Sequence, residues 1–113
     1  MLEKIKELLT SNELIVSDTY PKNIIEDCVT VELRSIQPKN QTVTTYQYEL
    51  KLFSKESMEL AVKKLQQPLF RQILGVNSVG NPSLSVDQEG LKKYKVKDLK
   101  MMPYIYSIDV INR

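Results

Sequence analysis

The chain has 113 residues, 42% hydrophobic and 27% charged, which fits one globular domain over residues 1–113 and leaves no room for two. Sixteen basic side chains against fourteen acidic ones give a formal charge of +2, too balanced for a general polyanion-binding surface. With one cysteine, Cys28, and no histidine, the chain can build neither an internal disulfide nor the usual nitrogen and sulfur metal site.

A domain of this size buries only about two-thirds of the surface its unfolded chain exposes, so neighbouring subunits become a natural way to cover the rest. The first ten residues, MLEKIKELLT, interrupt every apolar run with charge and read as neither a secretory signal nor a membrane span. A cytoplasmic, reducing setting is expected. Leu2, Ile5, Leu8 and Leu9 form one apolar stripe of a short helix that ends near Ser11. Such a helix is marginal alone, so its stripe is expected to dock on a sheet rather than to dimerise as a heptad. Leu14, Ile15 and Val16 suit a short strand, and the Tyr20–Pro21 step marks an extended turn.

The centre of the chain is a long hairpin. From Cys28 to Ile36, Val29, Val31 and Leu33 alternate with Thr30, Glu32 and Arg34. Gln37, Pro38, Lys39, Asn40 and Gln41 form the connecting loop. Thr42 to Phe53 alternates again, with Tyr46, Tyr48, Leu50 and Leu52 on the core face. Strands of this length, about 30 and 40 Å at about 3.3 Å per residue, are expected to reach beyond the body of the domain. The tip, Pro38, Lys39 and Asn40, is therefore a candidate contact with another molecule, against the plainer reading of a solvated loop.

At Ser54 the period changes to helical, with Met58, Ala61, Val62, Leu65 and Leu69 on one arc and Ser54 as the expected cap. Pro68 should stop or kink this helix, and Leu69 to Leu74 add a turn closed by Gly75. Val76 to Asp87 has loop chemistry in Asn77, Ser78, Gly80, Asn81 and Pro82, with Leu84 and Val86 opening a short strand. Gln88, Glu89 and Gly90 read as a turn into a strand over Leu91–Leu99, and Pro103 to Ile111 alternates as the last strand. The expected fold is α+β: a small antiparallel or mixed four-stranded sheet with a long hairpin and helices on one face.

Catalytic chemistry finds little to work with. Without histidine no serine or cysteine nucleophile has an imidazole base, and Gly75, Gly80 and Gly90 are too scattered for a phosphate-cradling loop. Glu26 and Asp27 are adjacent and point apart, so they make no shared acid–base pair. Cys28 reads as a small buried hydrophobe. No enzyme, metal or cofactor is expected. The one local charge excess is Lys92, Lys93, Lys95, Lys97 and Lys100. Lysines on one strand face can touch a phosphate backbone, and they also protect an exposed edge from pairing, which is the favoured reading. Four tyrosines on expected core faces, Tyr46, Tyr48, Tyr104 and Tyr106, carry hydroxyls that need partners when buried and also suit subunit contacts.

The element order resembles the tail-terminator and head–tail joining proteins of long-tailed bacteriophages, a family that includes minor tail and tail-completion proteins. The resemblance rests on LEKIKELL, the turn at Tyr20 and Pro21, the hairpin through CVTVELRSI and TYQYELKLFS, the helix SMELAVKKL and the final strand YIYSIDVIN. It implies a virion subunit, made in the host bacterial cytoplasm, that assembles with itself into a ring, commonly hexameric, at the head-proximal end of the tail tube. There the ring would stop tube growth, meet the tube protein and a head-completion or neck protein, and touch passing DNA at most weakly. The family carries no catalytic residues. The alternative is a small nucleic-acid-binding or regulatory domain using a basic face of Lys93, Lys95 and Lys97.

Overall fold

A computed structural model describes residues 2–11, 14–17, 26–54, 58–72, 78–93 and 101–111. In chain order the elements are α1 (Leu2–Ser11), β1 (Ile15–Val16), β2 (Cys28–Pro38), β3 (Val43–Phe53) and α2 (Met58–Gln67). A π-helical turn (Pro68–Gln72), β4 (Ser78–Val86), α3 (Gln88–Lys93) and β5 (Met101–Ile111) follow. The strands form one mixed sheet in the order β1-β2-β3-β5-β4, with β1 parallel to β2 and every other pair antiparallel. The sheet thus has five strands rather than the expected four.

The additional long strand is β4, in a stretch whose Gly80, Asn81 and Pro82 read as loop. Those residues sit at the sheet edge, where a missing N–H is tolerated, and the ladder to β5 slips between Ser78 and Gly80 and again before Ser83. Breaker residues here mark irregular pairing, not its absence.

Cross-strand register sorts the side chains onto two faces. Val29, Leu52 and Met102 align, as do Val31, Leu50, Tyr104 and Val86, and next to them Leu33, Tyr48, Tyr106 and Leu84. This face carries the main core, closed by Ile5 and Leu9 of α1, Ala61 and Leu65 of α2, and Leu69. The helical stripes read from spacing therefore dock where expected. Lys64 of α2 also lies 3.2 Å from Asp27, tying the helix to the entry of β2.

The opposite face is polar along most of its length, with Glu32 beside Glu49, Ser35 beside Gln47 and Ser107, and Gln37 beside Thr45 and Asp109. One end is apolar, where Cys28, Phe53 and Met101 form a second small buried cluster. Helices do not cover one face alone: α3 lies over this second face, close enough that a Cβ on Gly90 would stand 3.2 Å from Cβ of Pro103.

Residues 88–93 are helical rather than a turn leading into a strand because Asp87 caps them. Its Oδ1 accepts from Gly90 N at 3.1 Å, and its carbonyl accepts from Leu91 N at 3.0 Å. The expected cap at Ser54 is not formed. Helix α2 begins at Met58, and the buried Ser54 Oγ makes no hydrogen bond. Pro68 acts as expected: it marks the change from α2 to the π-helical turn, whose Leu69 carbonyl accepts from the buried Tyr106 hydroxyl at 2.7 Å. Tyr20–Pro21, Ile24 and Ile25 lie outside the described residues, as does the expected turn through Leu74 and Gly75.

Candidate functional site

The hairpin tip is built by local hydrogen bonding. Lys39 N and Asn40 N both donate to the Val43 carbonyl, at 2.9 and 3.2 Å. The Asn40 side-chain oxygen accepts from Thr42 N, Thr42 Oγ1 and Val43 N at 2.9–3.0 Å. An asparagine that mimics a backbone turn in this way shapes the tip before any partner arrives. Pro38 closes β2 opposite Thr44 and is exposed, as are Lys39 and Asn40.

The tip does not project as a free arm. Strand β5 accompanies β3 along its whole length, from Phe53 beside Met101 to Val43 beside Ile111. Lys39 Nζ reaches the nearly buried carboxylate of Asp109 at 2.8 Å, and Thr45 Oγ1 donates to the same carboxylate at 2.7 Å. The tip is tied to the last strand.

What projects is the outer half of β2. Among the described residues, strand β1 pairs with it only at Cys28 and Val29. Beyond that point Leu33 and Ile36 stand on the core face yet are 46% and 52% exposed. Period-2 alternation put Leu33 on one face with Val29 and Val31; it could not say that this position would be left half exposed. Among the described residues no strand pairs with the outer side of β2 beyond Val29, or with the outer side of β4.

The four tyrosines divide. Tyr48, Tyr104 and Tyr106 are buried within the chain itself, and Tyr46 is half-buried, stacked on Tyr48 at 6.5 Å between ring centroids. Burial pushes the Tyr48 phenol up to about 12, with Tyr46 adding to the effect. Burial also raises Tyr104, and raises Tyr106 further with help from Tyr48. In this fold three of these candidate contacts are core, and Tyr46, beside exposed Ile36, is the one left half-buried. Cys28 is buried, and burial followed by the charge of Asp27 raises its thiol pKa, the opposite of the lowering that activates a cysteine.

The described part of the basic run is helical rather than a strand face. Lys92 and Lys93 are exposed on the last turn of α3, and Tyr94, Lys95, Lys97 and Lys100 lie outside the described residues. Lys93 borders a recess of about 120 Å³ with Arg34, Glu49, Asp87, Glu89 and Gly90, where acids outnumber bases. Arg34, at the irregularity in β2, reaches Asp87 Oδ2 at 3.4 Å across the polar face. Asp87 before Gln88 and Glu89 could have signalled the helix cap, but no local pattern in the sequence links it to Arg34. Among the described residues no group of three or more histidine, cysteine or acidic side chains could hold a metal, and no helix is long and apolar enough to cross a membrane.

The fold defines a mixed-sheet α/β domain in which, among the described residues, no strand lies along the outer side of β4 or of β2 beyond Val29. The chain matches no protein-family model and no curated protein sequence.

Proposed function

We propose that the chain is a structural subunit of a long-tailed bacteriophage or prophage, a tail terminator or head–tail joining protein that closes into a ring at the head-proximal end of the tail tube. In this reading it stops tube growth, offers the head-completion protein a docking surface, and performs no catalysis. The observation that carries it is the uncovered outer half of β2, with exposed Leu33 and Ile36 and no described neighbour strand. This edge is guarded in part by exposed Glu32 and Arg34, by the irregularity between Leu33 and Ser35 and by Pro38 at its end, yet its exposed apolar side chains stay uncovered in a monomer, and assembly would bury them. The shaped hairpin tip and the latches Lys39–Asp109 and Arg34–Asp87 suit a subunit that must present a rigid surface.

The test is the solution mass of the purified protein by light scattering over a wide concentration range, joined with electron microscopy. A closed ring is expected, since head-to-tail contacts that close give cyclic assemblies, and the family resemblance implies about six copies. Deleting the tip at Asn40–Thr42 is expected to leave the fold intact and disturb assembly on the tube. A protein that stays monomeric at every concentration and forms no ring on tail tubes would refute the reading.

A further inference from the structure

The self-assembly proposed above leaves open which surfaces meet, and the topology answers that question. Strand β2 runs antiparallel to β3, β3 to β5, and β5 to β4. The two outer long strands therefore run in opposite directions. Copies related by rotation about an axis along the strands keep their directions, so β2 of one copy meets β4 of the next as an antiparallel pair.

The backbone polarity fits this join. Ser17 N donates to the Val29 carbonyl at 3.0 Å, so Val29 points its polar groups away from β3, and by alternation so do Val31 and Leu33. On β4 the next N–H, that of Asp87, donates inward to the Pro103 carbonyl at 3.0 Å, so Val86 and Leu84 point theirs outward. All five residues belong to the apolar face. We propose that β2 of one subunit pairs with β4 of the next, Val31 opposite Val86 and Leu33 opposite Leu84, joining the sheets of neighbouring copies head to tail.

Three features agree with that register. It sets half-buried Leu84 and Val86 beside exposed Leu33, apolar on apolar, while Glu32 meets Ser85 on the polar face. It places Pro82, which has no N–H to give, opposite Ser35, where β2 is already irregular. Strand β4 also contains no charged residue from Ser78 to Val86, so it lacks the charges that block edge pairing. Its Pro82 limits the pairing to the stretch beyond it and so sets the register.

The experiment is disulfide capture in a Cys28→Ala background. Directly opposed residues in a hydrogen-bonded antiparallel pair have Cα atoms about 5.5 Å apart, within disulfide reach. The variant carrying both Leu33→Cys and Leu84→Cys is expected to give a ladder of linked multimers under mild oxidation. Mixing the two single variants should give one linked dimer and nothing larger. Leu33→Cys with Ser83→Cys, one residue out of register, should not link. Circular dichroism confirms folding; both leucines have solvent exposure, which favours tolerance. If Leu33→Cys alone links to itself, the copies meet about a two-fold axis and the head-to-tail join is wrong. If no pair links while light scattering shows a discrete oligomer, the edge pairing fails and the ring reading stands. A monomer at all concentrations that also forms no ring on tail tubes removes both.

Discussion

Lys39 and Asp109 stand seventy residues apart in sequence and 2.8 Å apart in space, joining the tip of the central hairpin to the end of the last strand. The carboxylate is 8% exposed and also accepts from Thr45 Oγ1, while the lysine is 52% exposed. The two partners therefore matter unequally. The aspartate organises the site, and the lysine partly screens itself with water.

Replacing Asp109 by alanine should destabilise the fold by about 1–3 kcal/mol, because Thr45 and Lys39 lose a shared charged acceptor. Replacing Lys39 by alanine should cost under about 1 kcal/mol, because an ion pair with one exposed member is screened and the carboxylate keeps Thr45. Chemical denaturation of both variants checks the order; equal losses would show that the ion pair, not the buried carboxylate, holds the tip.

Tyr106→Phe should lower stability by about 1 kcal/mol, the value of a typical internal hydrogen bond, since only the hydroxyl to Leu69 O is removed. Its ring contact with Phe70, edge-on at 6.4 Å between centroids, is retained. The loss should appear as a lower thermal midpoint with unchanged far-ultraviolet circular dichroism.

Stability should fall above pH 10. The Tyr48 phenol is raised from 10.0 to about 12 in the folded chain, so between those values the native state holds a proton that the unfolded state has released. Unfolding then releases protons and is favoured as pH rises: the contribution is complete below pH 10 and lost toward pH 12. Tyr106 adds in the same direction. Denaturation midpoints measured from neutral to alkaline pH check this, and Tyr48→Phe should flatten the decline.

Gly90→Ala should destabilise by about 1–3 kcal/mol through overpacking. The added Cβ would lie 2.7 Å from an Asp87 carboxylate oxygen that is already fixed by Arg34, and 3.2 Å from Pro103. Thermal melting measures the cost, and a melting midpoint at or above the parent's would show that Asp87 moves freely.

Ser54→Ala should leave stability unchanged or raise it by up to about 1 kcal/mol, since a buried hydroxyl without a partner costs desolvation and returns nothing. A loss of about 1 kcal/mol would instead mean that Ser54 caps α2. Urea denaturation distinguishes the two.

Elements whose pattern repeats over many residues were legible in the order of side chains alone. The alternation of Val29 and Val31, of Tyr48, Leu50 and Leu52, and of Tyr104, Tyr106 and Ile108 placed three strands and their buried face, and the spacing of Ile5, Leu9, Ala61 and Leu65 placed two helices. These are local consequences of side-chain geometry and need no knowledge of neighbours. Only the tertiary structure decided the rest. Whether Gly80–Pro82 belongs to a loop or an edge strand depends on β5 lying beside it, and whether Lys92 and Lys93 sit on a strand or a helix depends on Asp87 capping α3. Leu33 and Leu50 carry the same alternation signal, yet Leu50, on the central strand β3, is fully buried and Leu33, on the outer half of β2, is half exposed. Burial is set by how far the covering elements extend, and that length is fixed only when the chain is packed.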